Sequence, residues 1–429
     1  MNGGDGNNMD DETLRKAASE TAGDNEESWK APKVATYGAS FDAKKIPQRR
    51  WLLGRRRSVG EVTVDAGPPG VNKSSLLLID AVAIATGRKL LADEVHESGG
   101  VLLLAGEDAR RDVESRLAGI LEYYKIKPQQ LRNRLHIVYL DELEDASSYS
   151  LARMREDMAA LNTHMLEWLR EFPKVIAIMV DPLAAWHQLI ENSNDVLQVL
   201  WSALRSVAVR SHRHVGVDHH VTKAAMLDPE AHIGNLAALR GGSVLGAGVR
   251  WAFTMARLRA DTAERHGIKD EERRHYRRLD TLKASYGADD DCERLLRVES
   301  VPIANGESVG VLVEVDLAAV HKASQERAVK AALDFKKQLG EALADMLTEH
   351  RPMSTSGAAT WLTSRYPHLF RSDKNGDGIS DSTLRRRLPL LIGKGIETRR
   401  GIVEIQGVGA GKGHGAAIDF RHHFGGQAP

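Results

Sequence analysis

The feature that most constrains this chain is the run Gly67-Pro-Pro-Gly-Val-Asn-Lys-Ser-Ser75. It sits between a β-branched stretch, Glu61 to Asp65, and an apolar stretch running from Leu76 to Ala85. A strand, a glycine-rich turn and a helix in that order are the context required by the Walker A pattern G-x-x-x-x-G-K-[ST]. Its backbone N–H groups cradle phosphates, its lysine reaches the outer phosphates, and its hydroxyl supplies an oxygen to a divalent cation. On that pattern Gly67, Gly70, Val71, Asn72, Lys73, Ser74 and Ser75 are the nucleotide-binding positions, with Ser74 also a ligand for Mg2+. One position departs: Asn72 stands where glycine is expected. Glycine serves where φ is positive or a ligand comes close; asparagine is the next most tolerant of left-handed backbone, yet it adds a side chain. The departure predicts that nucleotide binds but turns over less efficiently, and that glycine at this position would raise turnover. A second glycine cluster, Gly407 to Gly413, does not repeat the pattern, because Lys412 is followed by Gly413 rather than a hydroxyl residue.

Short apolar runs alternate with helical patterns from Gly60 onward: Glu61–Asp65, Val101–Ala105, His136–Leu140, Val175–Val180 and His214–Asp218. Continuous apolar strands separated by amphipathic helices predict an α/β fold with a mainly parallel sheet covered on both faces. Arg250–Leu258, His275–Ser285 and Val309–Val315 read as further strands extending that sheet through hairpins. Functional groups in such a sheet gather beyond the carboxyl ends of the strands. Three of those ends are polar: Gly106-Glu107-Asp108, Asp181-Pro182 and His219-His220. Asp181 falls at the Walker B position, orienting the water shell of Mg2+. Glu107 is placed to polarise an attacking water, and His219 or His220 to contact the region of the outermost phosphate.

The rest of the chain divides by composition. Residues 1–45 read as a disordered acidic tail with no signal peptide or anchor, and 46–321 as the α/β domain. Residues 322–350 read as a helical connector rich in Ala, Lys and Glu. In 351–406, two helical patterns precede a hairpin, Gly395–Ile405, an order that suggests a winged-helix-like domain; 407–429 reads as a flexible Gly-rich tail. Arg385, Arg386 and Arg387, with Arg399 and Arg400, form a local basic surface suited to a DNA backbone, or else a solvated helix face or subunit contact. The segment Asp373–Asp381 imitates the start of a calcium loop, but Leu384 stands where the bidentate Glu belongs, so no calcium site is expected.

Lys plus Arg and Asp plus Glu both count 59, so no global basic field marks a nucleic-acid binder. Cys292 is the single cysteine, which excludes an intrachain disulfide and a Cys-rich zinc site and agrees with a cytoplasmic location. No apolar run approaches the ~20 residues of a membrane span, so no membrane partner is expected.

Taken together, Gly67–Ser75, Gly106-Glu107-Asp108, Asp181-Pro182-Leu183, Glu191-Asn192-Ser-Asn194, His219-His220 with Lys223, Arg240-Gly-Gly-Ser243, Val249-Arg250-Trp251 and Lys283-Ala-Ser-Tyr286-Gly287 form an ordered set. This set resembles the RepA-like ATPases, hexameric replicative helicases of plasmids and phages related to the RecA and DnaB class. The resemblance implies a RecA-like P-loop core and a homo-hexameric ring with ATP and Mg2+ at subunit boundaries. It also implies action on DNA, chiefly single-stranded, beside replication-initiation partners. It makes Lys73 and Ser74 phosphate-site residues, Glu107 the catalytic glutamate, Asp181 the Walker B aspartate, His220 the sensor histidine and Arg250 an arginine reaching into a neighbouring subunit's site. The alternative is a weakly hydrolysing, nucleotide-gated DNA-binding regulator or scaffold, which the departure at Asn72 favours.

Overall fold

The computed structural model describes residues 34–38, 41–143, 165–187, 194–228, 235, 238–239, 249–285, 293–349, 353–367, 384–386, 388, 395–398, 401–408 and 417–423. The chain divides into two units, Met1–Arg49 and Arg50–Pro429, a boundary slightly beyond the one expected at residue 45. Most of the expected acidic tail and the calcium-loop imitation lie outside the described residues. Within the first unit, Asp42 accepts a hydrogen bond from the backbone N–H of Lys44 and caps the short turn Ala43–Lys45.

The second unit opens with a hairpin, β1 (Trp51–Leu53) and β2 (Arg57–Ser58), followed by β3 (Val62–Gly67) and α1 (Lys73–Thr86). Then come β4 (Gly100–Ala105), α2 (Arg110–Tyr123), β5 (Leu135–Tyr139), β6 (Val175–Asp181), α3 (Asn194–Ser211), β7 (His214–His220) and α4 (Lys223–Leu227). Next are β8 (Trp251–Arg257), the short helices α5 (Ala260–Arg265) and α6 (Asp270–Arg273), β9 (Tyr276–Ala284), β10 (Arg294–Pro302) and β11 (Ser308–Glu314). The main sheet runs β11-β10-β9-β8-β3-β7-β6-β4-β5. From β8 to β5 all pairings are parallel, whereas β9, β10 and β11 are antiparallel additions beyond β8. The expected α/β architecture and its antiparallel extension are therefore present, and the core is RecA-like.

Helix α1 is apolar around its whole circumference because it is buried on every side: Leu76, Leu77, Leu78 and Ile79 are each at most 2% exposed. Each such side chain contributes about 1.5–3 kcal/mol relative to an exposed position. On one face of the sheet α1 packs with Val101, Leu103, Met179 and Phe253; on the other, Leu197, Leu200, Trp201 and Leu204 of α3 cover Val64, Leu104, Val180 and Val217. This two-sided burial is why the strands read as unbroken apolar runs.

Two elements of the main domain were not legible. The hairpin β1–β2 is arginine-rich, yet Arg56 and Arg57 are buried. Arg57 bridges Asp65 on β3 and Asp80 on α1, while Arg56 reaches Asp80 and Asp93. Burial opposes the charge of Arg56, but Asp80 and Asp93 overcome it and hold its pKa well above the ordinary value. Strand β10 mixes charged and apolar residues because it lies toward the sheet edge, where Arg294 pairs with Asp93 and Glu314.

Helix α7 (Leu317–Glu349) begins earlier than the expected connector at 322. Its first turn belongs to the core, since Leu317 and Val320 pack against Leu258, Ile268 and Tyr276. Beyond it lie β12 (Met353–Ser354), α8 (Thr355–Arg365), β13 (Gly395–Thr398), β14 (Gly401–Val408) and β15 (Ala417–His423). Ser354 caps α8 by accepting from the N–H of Gly357, and β13–β14 is the expected hairpin. The flexible tail expected over 407–429 needs correction: β15 pairs along the length of β14 and with β12, giving a four-stranded order β12-β15-β14-β13. The period-two alternation of Ala417-Ile-Asp-Phe-Arg421 is a strand signal that follows a glycine-rich stretch. Among the described residues, no helix is long and apolar enough to cross a membrane.

Candidate nucleotide site

The phosphate loop leaves β3 at Gly67, where a Cβ would collide with the carbonyl oxygen of Met255 on the adjoining strand β8, so only glycine fits. Gly70 follows with φ +73°, and Asn72 has φ 74° and ψ 30°, the left-handed conformation inferred for the expected glycine. Asparagine therefore satisfies the backbone requirement. Its side chain is occupied as well, because Oδ1 of Asn72 accepts a hydrogen bond from Nε of Arg277 at 3.1 Å.

Lys73 is the first residue of α1 and is buried; its Nζ donates to the carbonyl of Pro68 at 3.3 Å and lies 3.7 Å from Oδ1 of Asp218. The hydroxyl of Ser74 donates to Oδ1 of Asp181 at 3.0 Å, joining the loop to the end of β6. Ser75 is buried beneath the loop, and Val71 packs into the α1 core. Burial raises the pKa of Asp181, although hydrogen bonds from Asp218 and Ser74 pull the other way. Burial also pushes Asp218 well up, with Lys73 opposing and the neighbouring Asp181 reinforcing the shift. The two carboxyls share a hydrogen bond and favour holding a proton between them.

Three strand ends meet beside this loop. Glu107 follows β4, Asp181 closes β6 and His220 closes β7, and β6 lies between the other two in the sheet. His220 Nε2 stands 3.6 Å from Glu107 Oε1. The glutamate is 60% exposed, as a residue facing a bound ligand and solvent would be. A Cβ on Gly106 would come within 2.5 Å of the Ala185 side chain and 2.7 Å of Trp186 Nε1, so glycine there lets β4 end against the turn after β6. His219 faces the opposite side of the sheet, buried with its ring edge against Trp201, and is a packing residue rather than a site residue.

The structure brings together Lys73, Ser74, Asp181, Glu107 and His220. It does not bring Arg250 to them. Arg250 immediately precedes β8, whose Trp251 pairs with Thr63 at the start of β3, so Arg250 lies at the opposite end of the parallel strands from the loop. At 3.2–3.4 Å per residue, that is about 16 Å from the loop. Among the basic carboxy-terminal residues, Arg385 and Arg386 are exposed beside buried Leu384, while Arg387, Arg399 and Arg400 lie outside the described residues.

Residues missed in the sequence are Asp218, Arg257 and Arg277. Asp218 is a mid-strand acid in register with Asp65 of β3, and both face α1. Acids interrupting two otherwise apolar neighbouring strands were the available signal. Arg257 ends β8 with Nη2 3.4 Å from the carbonyl oxygen of Gly70, and nothing in its local sequence marks it.

A loop whose backbone turns left-handed at Gly70 and Asn72, a lysine and hydroxyl at a helix start, and a carboxylate bonded to that hydroxyl suit nucleotide phosphates with Mg2+. The fold and this site define a P-loop nucleoside-triphosphatase. In agreement, residues 28–226 match the family described as AAA domain, which supports a P-loop ATPase core for this part of the chain.

Proposed function

We propose that this protein is an ATP-driven DNA helicase or translocase of the RepA-like type, working in plasmid or phage replication as a homo-hexameric ring. The observation that carries this reading is the convergence of Lys73, Ser74, Asp181, Glu107 and His220 at the carboxyl ends of the parallel strands while Arg250 stands at their opposite end. In a ring, the far end of one subunit's sheet can meet the next subunit's phosphate loop, where an arginine so placed would complete the site.

The loop N–H groups and Lys73 bind and orient the phosphates, and Ser74 with Asp181 would hold Mg2+, which neutralises charge on the phosphate oxygens when bound. Glu107 orients and deprotonates the attacking water. His220, in contact with Glu107, relays the state of that carboxylate into β7 and α4. Arg385 and Arg386, with Arg387, Arg399 and Arg400, supply phosphate-backbone contacts to DNA.

A second reading, a weakly hydrolysing nucleotide-gated regulator that binds DNA, is favoured by one observation, the asparagine at position 72. Unwinding of a forked duplex with ATP and Mg2+, run beside electron microscopy of the same sample, separates the two. Closed rings and ATP-dependent strand release are expected. Nucleotide-dependent DNA binding with no strand release or movement would replace the motor with the regulator.

A further inference from the structure

Arg277 lies in the antiparallel part of the sheet, yet its side chain reaches the phosphate loop. It is 7% exposed, with Nη1 donating to the carbonyls of Arg274 and Tyr276 at 2.8 and 2.9 Å and Nε donating to Asn72 Oδ1. Neither Arg277 nor its neighbour Arg257 has a carboxylate partner among the described residues. Burial, and then the nearby Arg257, lower the pKa of Arg277 to about 10. A buried guanidinium without an anion is costly, and here it is spent on the side chain of the one residue that departs from the phosphate-loop pattern.

We propose that Arg277 is a positioning residue for nucleotide binding, clamping Asn72 in its left-handed conformation so that the loop receives a nucleoside triphosphate despite lacking the usual glycine. This rests on the nucleotide-site reading and deepens it. Left-handed backbone is open to glycine without cost but only tolerated by asparagine, and a charge-assisted hydrogen bond to Oδ1 removes the alternatives open to a free asparagine. The clamp also keeps the amide directed toward β9 rather than into the space for phosphate. It revises the expectation that glycine at 72 would improve the loop: Asn72 with Arg277 already does what glycine does alone.

The test is a double-mutant cycle on the full chain with Mg2+ and the fluorescent nucleotide mant-ATP, with thermal melts as the check on folding. Arg277→Met is expected to weaken binding about tenfold, the equivalent of about 1.4 kcal/mol. Asn72→Gly supplies the second background of the cycle, and adding Arg277→Met to it should cost less than about twofold more. Arg277→Lys, which keeps the charge without the Nε donor, goes through the same cycle should the methionine variant fail to fold, and should lose affinity only with Asn72 present. An equal loss in both backgrounds, or no loss with Asn72 present, overturns the clamp while leaving the nucleotide site standing. Absence of mant-ATP binding by the parent and by Asn72→Gly overturns both.

Discussion

His220 Nε2 lies 3.6 Å from Oε1 of Glu107, linking two strand ends that flank the one carrying Asp181. Three side chains from separate parts of the sequence thus meet at the carboxyl ends of the strands: Glu107, the proposed base for water, Asp181, the proposed carboxylate for the metal, and His220, whose imidazole contacts Glu107. Replacing Glu107 by Gln preserves shape but removes the base. Glu107→Gln should therefore lower kcat about 10²–10⁴-fold, the range expected for a positioned general base, while mant-ATP affinity stays within about threefold. Single-turnover hydrolysis and equilibrium binding on the same preparation check this. A parallel loss of both would make Glu107 a binding or structural residue.

The burial of Asp181 and Asp218 has a pH consequence. Asp181 and Asp218 have pKa values raised by burial, so the folded protein holds a proton on this pair to higher pH than an exposed carboxylate would. A raised acid pKa favours the protonated form, and a cation favours the ionised one; Mg2+-dependent nucleotide binding should therefore weaken as pH falls and release protons on binding. Calorimetric titrations in two buffers of different ionisation enthalpy read that release directly. Asp218→Asn should reduce it, because the carboxyl with which Asp181 shares the proton is gone.

The Arg57 guanidinium, fully buried between Asp65 and Asp80, fastens the hairpin to the strand and helix that flank the phosphate loop. Arg57→Met leaves two buried carboxylates facing each other and should destabilise the domain by about 3–5 kcal/mol, measured as a lowered urea midpoint. In the same network, burial acts against Asp93, but Arg56 and Arg294 hold its pKa well below the usual carboxylate range. With the folded pKa depressed, that stabilisation is complete above the unfolded value of about 3.9 and is lost as pH falls toward the folded one. Acid unfolding of the parent should begin below about pH 4 for this group, and Asp93→Asn should flatten that part of the profile.

Arg250 offers a test of the proposed ring assembly. If it serves a neighbouring subunit, Arg250→Ala and Lys73→Ala each abolish turnover alone, whereas a mixture regains part of it. Sites pairing the intact loop of one variant with the intact arginine of the other would be functional. Steady-state hydrolysis of co-assembled mixtures is the measurement, and a mixture as inactive as its parts would place the arginine's role within its own subunit or in folding.

Much of the site was legible because its chemistry is written in short, local patterns. The phosphate loop follows from glycines and Lys73 between a strand and a helix, and the left-handed backbone at Asn72 follows from the glycine it replaces. Asp181, Glu107 and His220 follow from polar residues at the ends of apolar strands. What was hidden depends on register across the sheet. Asp218 matters because β7 lies beside β3, and Arg277 because β9 lies beside β8, close enough for a long side chain to reach the loop. The arginines of the first hairpin gave no local signal, since their carboxylate partners stand on β3, on α1 and before β4. The final strand was obscured by the glycines that precede it.

The most direct test of the central claim is steady-state ATP hydrolysis by the purified full chain with Mg2+, measured with and without single-stranded DNA, beside Lys73→Ala. Turnover is expected to rise with DNA and to disappear in the variant. Tight nucleotide binding with no turnover in either condition would contradict the claim.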